Sequence, residues 1–261
     1  MPGDDVFTLR QQLRRQLAWL PVRLGLRQVR SDAELAAAAP DIVVYEGHRF
    51  DIRHPRCTQQ IAAALVRGSY EDREIALIRR HVSADDRVLE LGACMGATSL
   101  ILHDIVGAEN LLVVEADPRN LDMARGMFAL NGVAIRMEHG VLMAGGNVPE
   151  CVDFTSNANP SSSSLATREG AERAETVPAL PFEEVLDREG STALVLDIEG
   201  GEHDLFTRAA SLGMLRLIVM ETHPHVVGEA GMRAMHAGLA AHGFRLHRSY
   251  RAGQFLVLRR D

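Results

Sequence analysis

The chain has 261 residues, 46% of them hydrophobic, enough for one large α/β core with an added cap. Its formal charge of -7 argues against the clustered cationic footprint of a nucleic-acid binder, and every Lys+Arg position is an arginine. No apolar run reaches the roughly 18 residues of a bilayer span, and Asp4 and Asp5 do not suit a secretion signal. Cys57, Cys94 and Cys151 lack C-x-x-C spacing and read as free thiols, so the expected location is the cytoplasm.

Phe7 to Leu20 puts Leu9, Leu13, Leu17 and Leu20 on one helical face with arginines opposite. Such a helix packs on its own domain or on a second copy, which would make a homo-oligomer. Ser31 and Asp32 can cap a short alanine-rich helix that Pro40 ends. Ile42–Tyr45 and Arg49–Ile52 flank Glu46-Gly-His48 as a hairpin, followed by helices at Gln59–Val66 and Asp72–His81. Residues 1–82 are too few for a core of their own and read as a cap on a domain covering 83–261.

From Arg87 onward strands and helices alternate: strands at 87–91, 111–115 and 133–138, helices at 97–106 and 118–130, the second opened by Asp117-Pro118. Between Leu142 and Val177 the periodicity lapses around Gly145-Gly146, Asn157-Ala-Asn-Pro160 and Ser161–Ser164, so a flexible loop is expected at about 143–177, either a lid or an insertion. Order resumes with a helix at Pro181–Leu186, a strand at Ala193–Leu196, a helix through Leu212, a strand at Leu215–Met220 and a helix at Gly231–His242. Phe244–Tyr250 and Gln254–Leu258, joined at Ala252-Gly253, must then pair antiparallel.

The stretch Arg87–Leu100, RVLELGACMGATSL, organises the rest. A buried strand runs into Glu90, then into a turn from Gly92 through Ala93 to Gly96, then into a helix, which leaves backbone N–H groups facing a crevice beyond the strand end. A dinucleotide site would read G-x-G-x-x-G; here the pattern is acid-x-Gly-x-x-x-Gly. An acid at that point suits a ligand carrying an ammonium and a sulfonium, as S-adenosylmethionine (SAM) does. Glu115, with Ala116 after it, ends the next strand where a carboxylate can take a ribose diol. Together they make SAM the leading ligand, with the fold expected to be the class I methyltransferase α/β sheet, Rossmann-like, in strand order 3-2-1-4-5-7-6 with its last strand antiparallel.

The motifs, taken in order, resemble those of the FkbM-type SAM-dependent methyltransferases. The similarity runs from about Tyr45 to the end and rests on Gly68-Ser-Tyr70-Glu71, Glu90-Leu-Gly92-Ala-Cys-Met-Gly96, Glu115 with Asn131, Asp197-Ile-Glu199-Gly-x-Glu202, and Glu221-Thr-His223-Pro224. It implies cofactor contacts from Glu90, Gly92, Ala93, Gly96, Glu115, Ala116, Asp197 and Tyr70. The chain departs from the usual pattern at Glu90, where Asp is common, at Ala97, where an aromatic is frequent, and at Val195, where a Lys usually stands.

Methyl transfer from a sulfonium is an in-line displacement, and a hydroxyl acceptor must also lose a proton. His223, just past a strand end, is the first candidate base because an imidazole titrates near working pH. Asp197, Glu199 and Glu202 are alternatives, and Asp197 could instead hold the cofactor's amino group. Glu199 and Glu202 straddle glycines at a helix N-terminus, where capping is the competing role. Glu221 is a further catalytic candidate, and the cluster Asp197, Glu199, Glu221, His223 and His225 has oxygens that would suit Mg²⁺, although no metal ligand is assigned. The expected activity is O-methylation of a small-metabolite or sugar hydroxyl. N- or carboxyl-methylation and a non-catalytic binding module are the alternatives.

Overall fold

In the computed structural model, which describes residues 31–156, 173–250 and 254–260, the sheet is built outward from β3 (Val88–Leu91). This strand pairs in parallel with β4 (Leu111–Glu115) on one side and β9 (Ala193–Leu196) on the other. Beyond β4 lies β5 (Arg136–His139); beyond β9 lies β10 (Leu217–Glu221), then β12 (Phe255–Arg259) and β11 (Arg245–Tyr250). Only β12 runs against its neighbours. Counted along the chain within this sheet the order is 3-2-1-4-5-7-6, the class I methyltransferase arrangement expected from the sequence.

The four central strands are apolar on both faces, and alternate residues feed two separate cores. Val88, Val113, Val195 and Val219 belong to one cluster, Leu89, Leu112, Leu194 and Ile218 to the other. The first face is covered by α2 (Gln59–Arg67), α3 (Asp72–His81), α4 (Ala97–Val106) and α5 (Pro118–Leu130), the second by α6 (Phe182–Glu189), α7 (Glu202–Arg208) and α8 (Pro224–Ala241). Glu90 falls on the first face, in register with Val88.

Local chemistry fixes the ends of these elements. Ser31 and Glu34 form a reciprocal capping box on α1 (Asp32–Ala38). Thr58 caps α2, and Gly68 closes it in the left-handed conformation at φ 67°. Asp117 caps α5 ahead of Pro118. The hairpin β1 (Ile42–Tyr45) and β2 (His48–Asp51) turns at Glu46 and Gly47, both at positive φ, and sends Val43, Tyr45 and Phe50 into the first core. Asn131 ties it down: its amide accepts from the Arg49 N–H and donates to the Arg49 carbonyl, each at 2.8 Å. Arg56, also buried, donates to Asp117 at 3.0 Å and to Asn120 at 2.8 Å.

Three expectations change. Part of the stretch read as a flexible loop, 143–177, is strand: β7 (Cys151–Ser156) pairs antiparallel with β8 (Arg173–Pro181), and β8 pairs in parallel with β6 (Val141–Met143). The pattern was hidden because β-prone runs as short as Val152–Thr155 sit beside a Gly-, Ser- and Pro-rich stretch whose central residues, 157–172, lie outside the described residues. A short helical turn at Pro224 precedes the expected helix within α8, and the two parts are separated by Gly228, whose φ of 69° and ψ of 172° are not helical. Helix α7 stops at Arg208 rather than continuing to Leu212. The helix expected at 7–20, the homo-oligomer contact it would make and the turn at Ala252-Gly253 also lie outside the described residues. Among the described residues no helix is long and apolar enough to cross a membrane, and Cys57, Cys94 and Cys151 form no disulfide.

Candidate active site

Because β3, β4, β9 and β10 are parallel and in register, the loops after Leu91, Glu115, Leu196 and Glu221 emerge side by side. They border a cleft of about 1110 Å³ counted out to its mouth. Gly92, Cys94, Glu115, Ala116 and Asn120 form one wall, Leu142, Met143 and Phe154 another, and Asp197 and Glu199 the inner end. The apolar second wall comes from β6 and β7, in the region read as a loop.

The glycine turn needs its glycines. Gly92 has φ 86°, and a Cβ there would collide with the carbonyl oxygen of Asp197 across the strand ends. Gly96, at φ 82°, sits against the Phe128 ring. Between them Cys94 is held at φ 48°, and its Sγ accepts from the Tyr70 hydroxyl at 3.3 Å. Glu115 braces the turn: Oε2 accepts the N–H of Ala93 and of Cys94, both at 3.0 Å, while Oε1 accepts that of Asp117 at 2.8 Å. Burial pushes its carboxyl up to about 7 against the lowering by these donors.

Glu90 behaves differently from the sequence expectation. It does not line the cleft; on the first face of the sheet it is 1% exposed, accepts from the Thr98 hydroxyl through Oε1, and leaves Oε2 buried without a hydrogen-bond partner. Burial raises its carboxyl to about 7. Its place is beneath the turn, one layer behind Gly92. Ala93 and Gly96, expected as cofactor contacts, do not line the cleft either: the Ala93 N–H is taken by Glu115 and the Gly96 N–H by the Ala93 carbonyl, so both shape the turn.

A second chamber of about 1000 Å³ opens from the first across Glu71, Glu74, Asp197 and Glu199. Tyr70, Glu221, His223, Gln254 and Phe255 complete it. Tyr70 therefore faces this chamber and reaches the cofactor turn only through Cys94. His223 is 5% exposed and fixed at both nitrogens: Nδ1 lies 2.7 Å from Glu202 Oε1, and Nε2 lies 3.4 Å from Asp197 Oδ1 and 3.8 Å from Glu199 Oε1. Glu202 Oε2 also accepts the Gly200 N–H at 2.8 Å, although the helix that begins at Glu202 has no side-chain cap. Glu199 is held at φ 51°. Glu221 accepts from the Gln254 amide.

The surroundings correct one expectation about His223. Burial alone would lower its pKa, but the Glu202 hydrogen bond and the charges of Asp197, Glu202 and Glu199 outweigh that and raise it to about 9. At neutral pH the ring is an imidazolium, not an imidazole poised to titrate. The acids rise as well: burial, then the Glu221 charge, raises Asp197 well above the ordinary range, and burial, then the Asp197 charge, does the same to Glu74.

Glu74 and Gln254 are site residues that the sequence reading missed. Glu74 carried a signal, since it lies on the buried stripe of α3 with Ile75, Ile78 and His81, where an acid is out of place. Gln254 carried none, because its contact with Glu221 exists only through the pairing of β12 with β10. Two overlapping trios have the spacing for a metal ion, Asp197 with Glu199 and His223, and Glu74 with Asp197 and Glu221.

No protein-family model matches the chain, and no curated protein aligns with it. Among solved structures it is similar to a ribosomal protein L11 methylase from Lactobacillus delbrueckii subsp. bulgaricus, at 15% identity over 74% of this chain and 80% of that one, TM-score 0.42. An O-methyltransferase from Bacillus cereus in complex with SAH aligns at 14% identity over 71% and 77%, TM-score 0.41. Fibrillarin from Aeropyrum pernix, with natively bound S-adenosyl-L-methionine, aligns at 15% over 70% and 71%, TM-score 0.40. At such scores these likenesses bear no weight for activity, and the fold assignment stands on the strand order of this chain.

Proposed function

We propose that the protein is a cytoplasmic SAM-dependent methyltransferase of the FkbM type that O-methylates a hydroxyl on a small metabolite or sugar. The observation that carries this reading is the junction of two chambers at Asp197, one walled by a braced glycine turn and the other lined by acids and His223. The residues present fit the cofactor: Gly92 leaves backbone exposed where a side chain could not stand, Glu115 offers a carboxylate at the second strand end, and Glu71, Glu74 and Asp197 provide negative charge for a cationic ligand. When bound, SAM supplies an electrophilic methyl carbon.

The chain's own work is then positioning and proton handling. The Glu202–His223–Asp197 line is rigid at both ring nitrogens, so it presents a fixed edge to an acceptor in the second chamber. With His223 already an imidazolium at neutral pH, the group able to take the acceptor's proton there is the Asp197 carboxylate, whose raised pKa makes it the stronger base once ionised. A carboxylate acceptor is disfavoured, because in that chamber Glu71, Glu74, Asp197, Glu199 and Glu221 outnumber the two cations, Arg73 and the His223 imidazolium. The same acids suit an amine, which is the second reading.

Calorimetry with SAM, and with NAD as a control, tests the cofactor assignment; a folded sample that takes up no SAM refutes it. Incubation with methyl-labelled SAM and metabolite extracts, read by mass spectrometry, then separates O-methyl from N-methyl products.

A further inference from the structure

We propose that Glu74, Asp197 and Glu221 form a binding site for a hard divalent cation of the Mg²⁺ or Mn²⁺ kind. The three carboxylates come from α3, the end of β9 and the end of β10, so their convergence is a product of the fold rather than of an acidic run in the sequence. One oxygen from each lies within 4.8 Å of the others. That spacing suits an ion with oxygen ligands at about 2.0–2.6 Å.

Glu74 is the second, separate observation. It is only 7% exposed, borders both chambers, and makes no hydrogen bond or ion pair among the described residues. A buried carboxylate without a donor is costly, and buried polar groups of this kind are almost always satisfied. The charges that act on it most strongly are Asp197, Glu71, Glu221 and Glu90, all acids, and Arg73, which also lines the second chamber, makes no ion pair with it among the described residues. Asp197 Oδ1 is buried without a hydrogen bond, with His223 Nε2 3.4 Å away. The neighbouring trio lacks Glu74, and in it Asp197 Oδ1 and Glu199 Oε1 already face His223 Nε2 at 3.4 and 3.8 Å.

An ion held from one side by three carboxylates keeps positions for water or for acceptor oxygens. Its use in gripping two adjacent hydroxyls of an acceptor rests on the methyltransferase reading; the ion's binding does not. The site is tested on the full chain, stripped with chelator and without SAM or acceptor, by titrating MnCl₂ and following free Mn²⁺ by electron paramagnetic resonance. The expected result is saturable binding of about one equivalent, displaced by MgCl₂ and weakened at least tenfold in both Glu74→Gln and Glu221→Gln. Asp104→Asn, an exposed acid elsewhere, should bind as the parent does. Because Glu74 is buried, circular dichroism must first show that its variant is folded; if it is not, Glu221→Gln decides alone. No saturable uptake, uptake unchanged in the folded variants, or stabilisation by methylammonium but not by Mn²⁺ overturns the proposal. Failure of SAM binding with Mn²⁺ uptake intact would remove the enzymatic reading and leave the cation site standing.

Discussion

Replacing Glu202 with Gln should free His223 to titrate near neutrality. The side chain keeps its size and can still meet Nδ1, but the charge and the charge-assisted hydrogen bond at 2.7 Å are lost. In the parent, the rise from 6.5 to about 9 corresponds to roughly 3 kcal/mol of preferential stabilisation of the imidazolium. The Glu202 hydrogen bond is the leading contribution to that rise, ahead of the Asp197 charge, so the variant should lose at least one pH unit of it, on the order of 1.4 kcal/mol. The folded pKa is raised above its unfolded value. Its stabilisation is therefore complete below pH 6.5, fades as pH climbs through the window to about 9, and is gone above it. Histidine side-chain NMR in chelator-containing buffer gives the midpoint, and melting curves from pH 6 to 10 give the stability slope. A parent midpoint at or below 6.5, or a variant midpoint still near 9, refutes the reasoning.

Three further outcomes are expected. Gly92→Ala combines a positive φ with a collision against the Asp197 carbonyl and should destabilise by more than about 2 kcal/mol in urea melts; a loss within about 0.5 would refute the close approach. Arg56→Ala removes one of the two arginines that hold the buried Asp117, Arg119 remaining, and a charged donor from Asn120, and should cost about 1.5–3 kcal/mol, with amide exchange rising first in β1 and β2. Unchanged protection of the hairpin would show that Arg56 does not anchor it. Glu115→Ala removes the brace of the glycine turn, and SAM affinity by calorimetry should fall at least tenfold; equal affinity would separate Glu115 from the cofactor.

What was legible in the sequence was set by local chemistry. Asp117-Pro118 opens α5 at the expected residue, and Asp72–His81 and Ala97–Val106 have the expected bounds, because caps, glycines and apolar stripes act within a few residues. The sheet order also follows, since a parallel α/β chain closed by an antiparallel hairpin has few ways to wind. Long-range facts were not legible. Glu90 reads as a cofactor contact from its place at a strand end, yet a shift of one residue in a strand changes the face, and the face places it under the turn with Thr98. The pKa of His223 depends on Glu202, 21 positions away, and no motif encodes that distance. β7 and β8 pair with each other across residues outside the described range, and the nine-residue β8 contains Pro178 and ends in Pro181, residues that mask a strand pattern.

The wedging of β12 between β10 and β11 has a consequence for biogenesis. During synthesis β10 emerges with its outer edge bare, and β11 has no berth on the sheet until a later strand arrives to bridge the gap. The row that ends in Glu221 therefore stays incomplete until Phe255 to Arg259 have left the ribosome. Nascent chains halted before that point should expose an unpaired, apolar flank on Ile218 and Met220, a target for chaperones rather than a partly working protein.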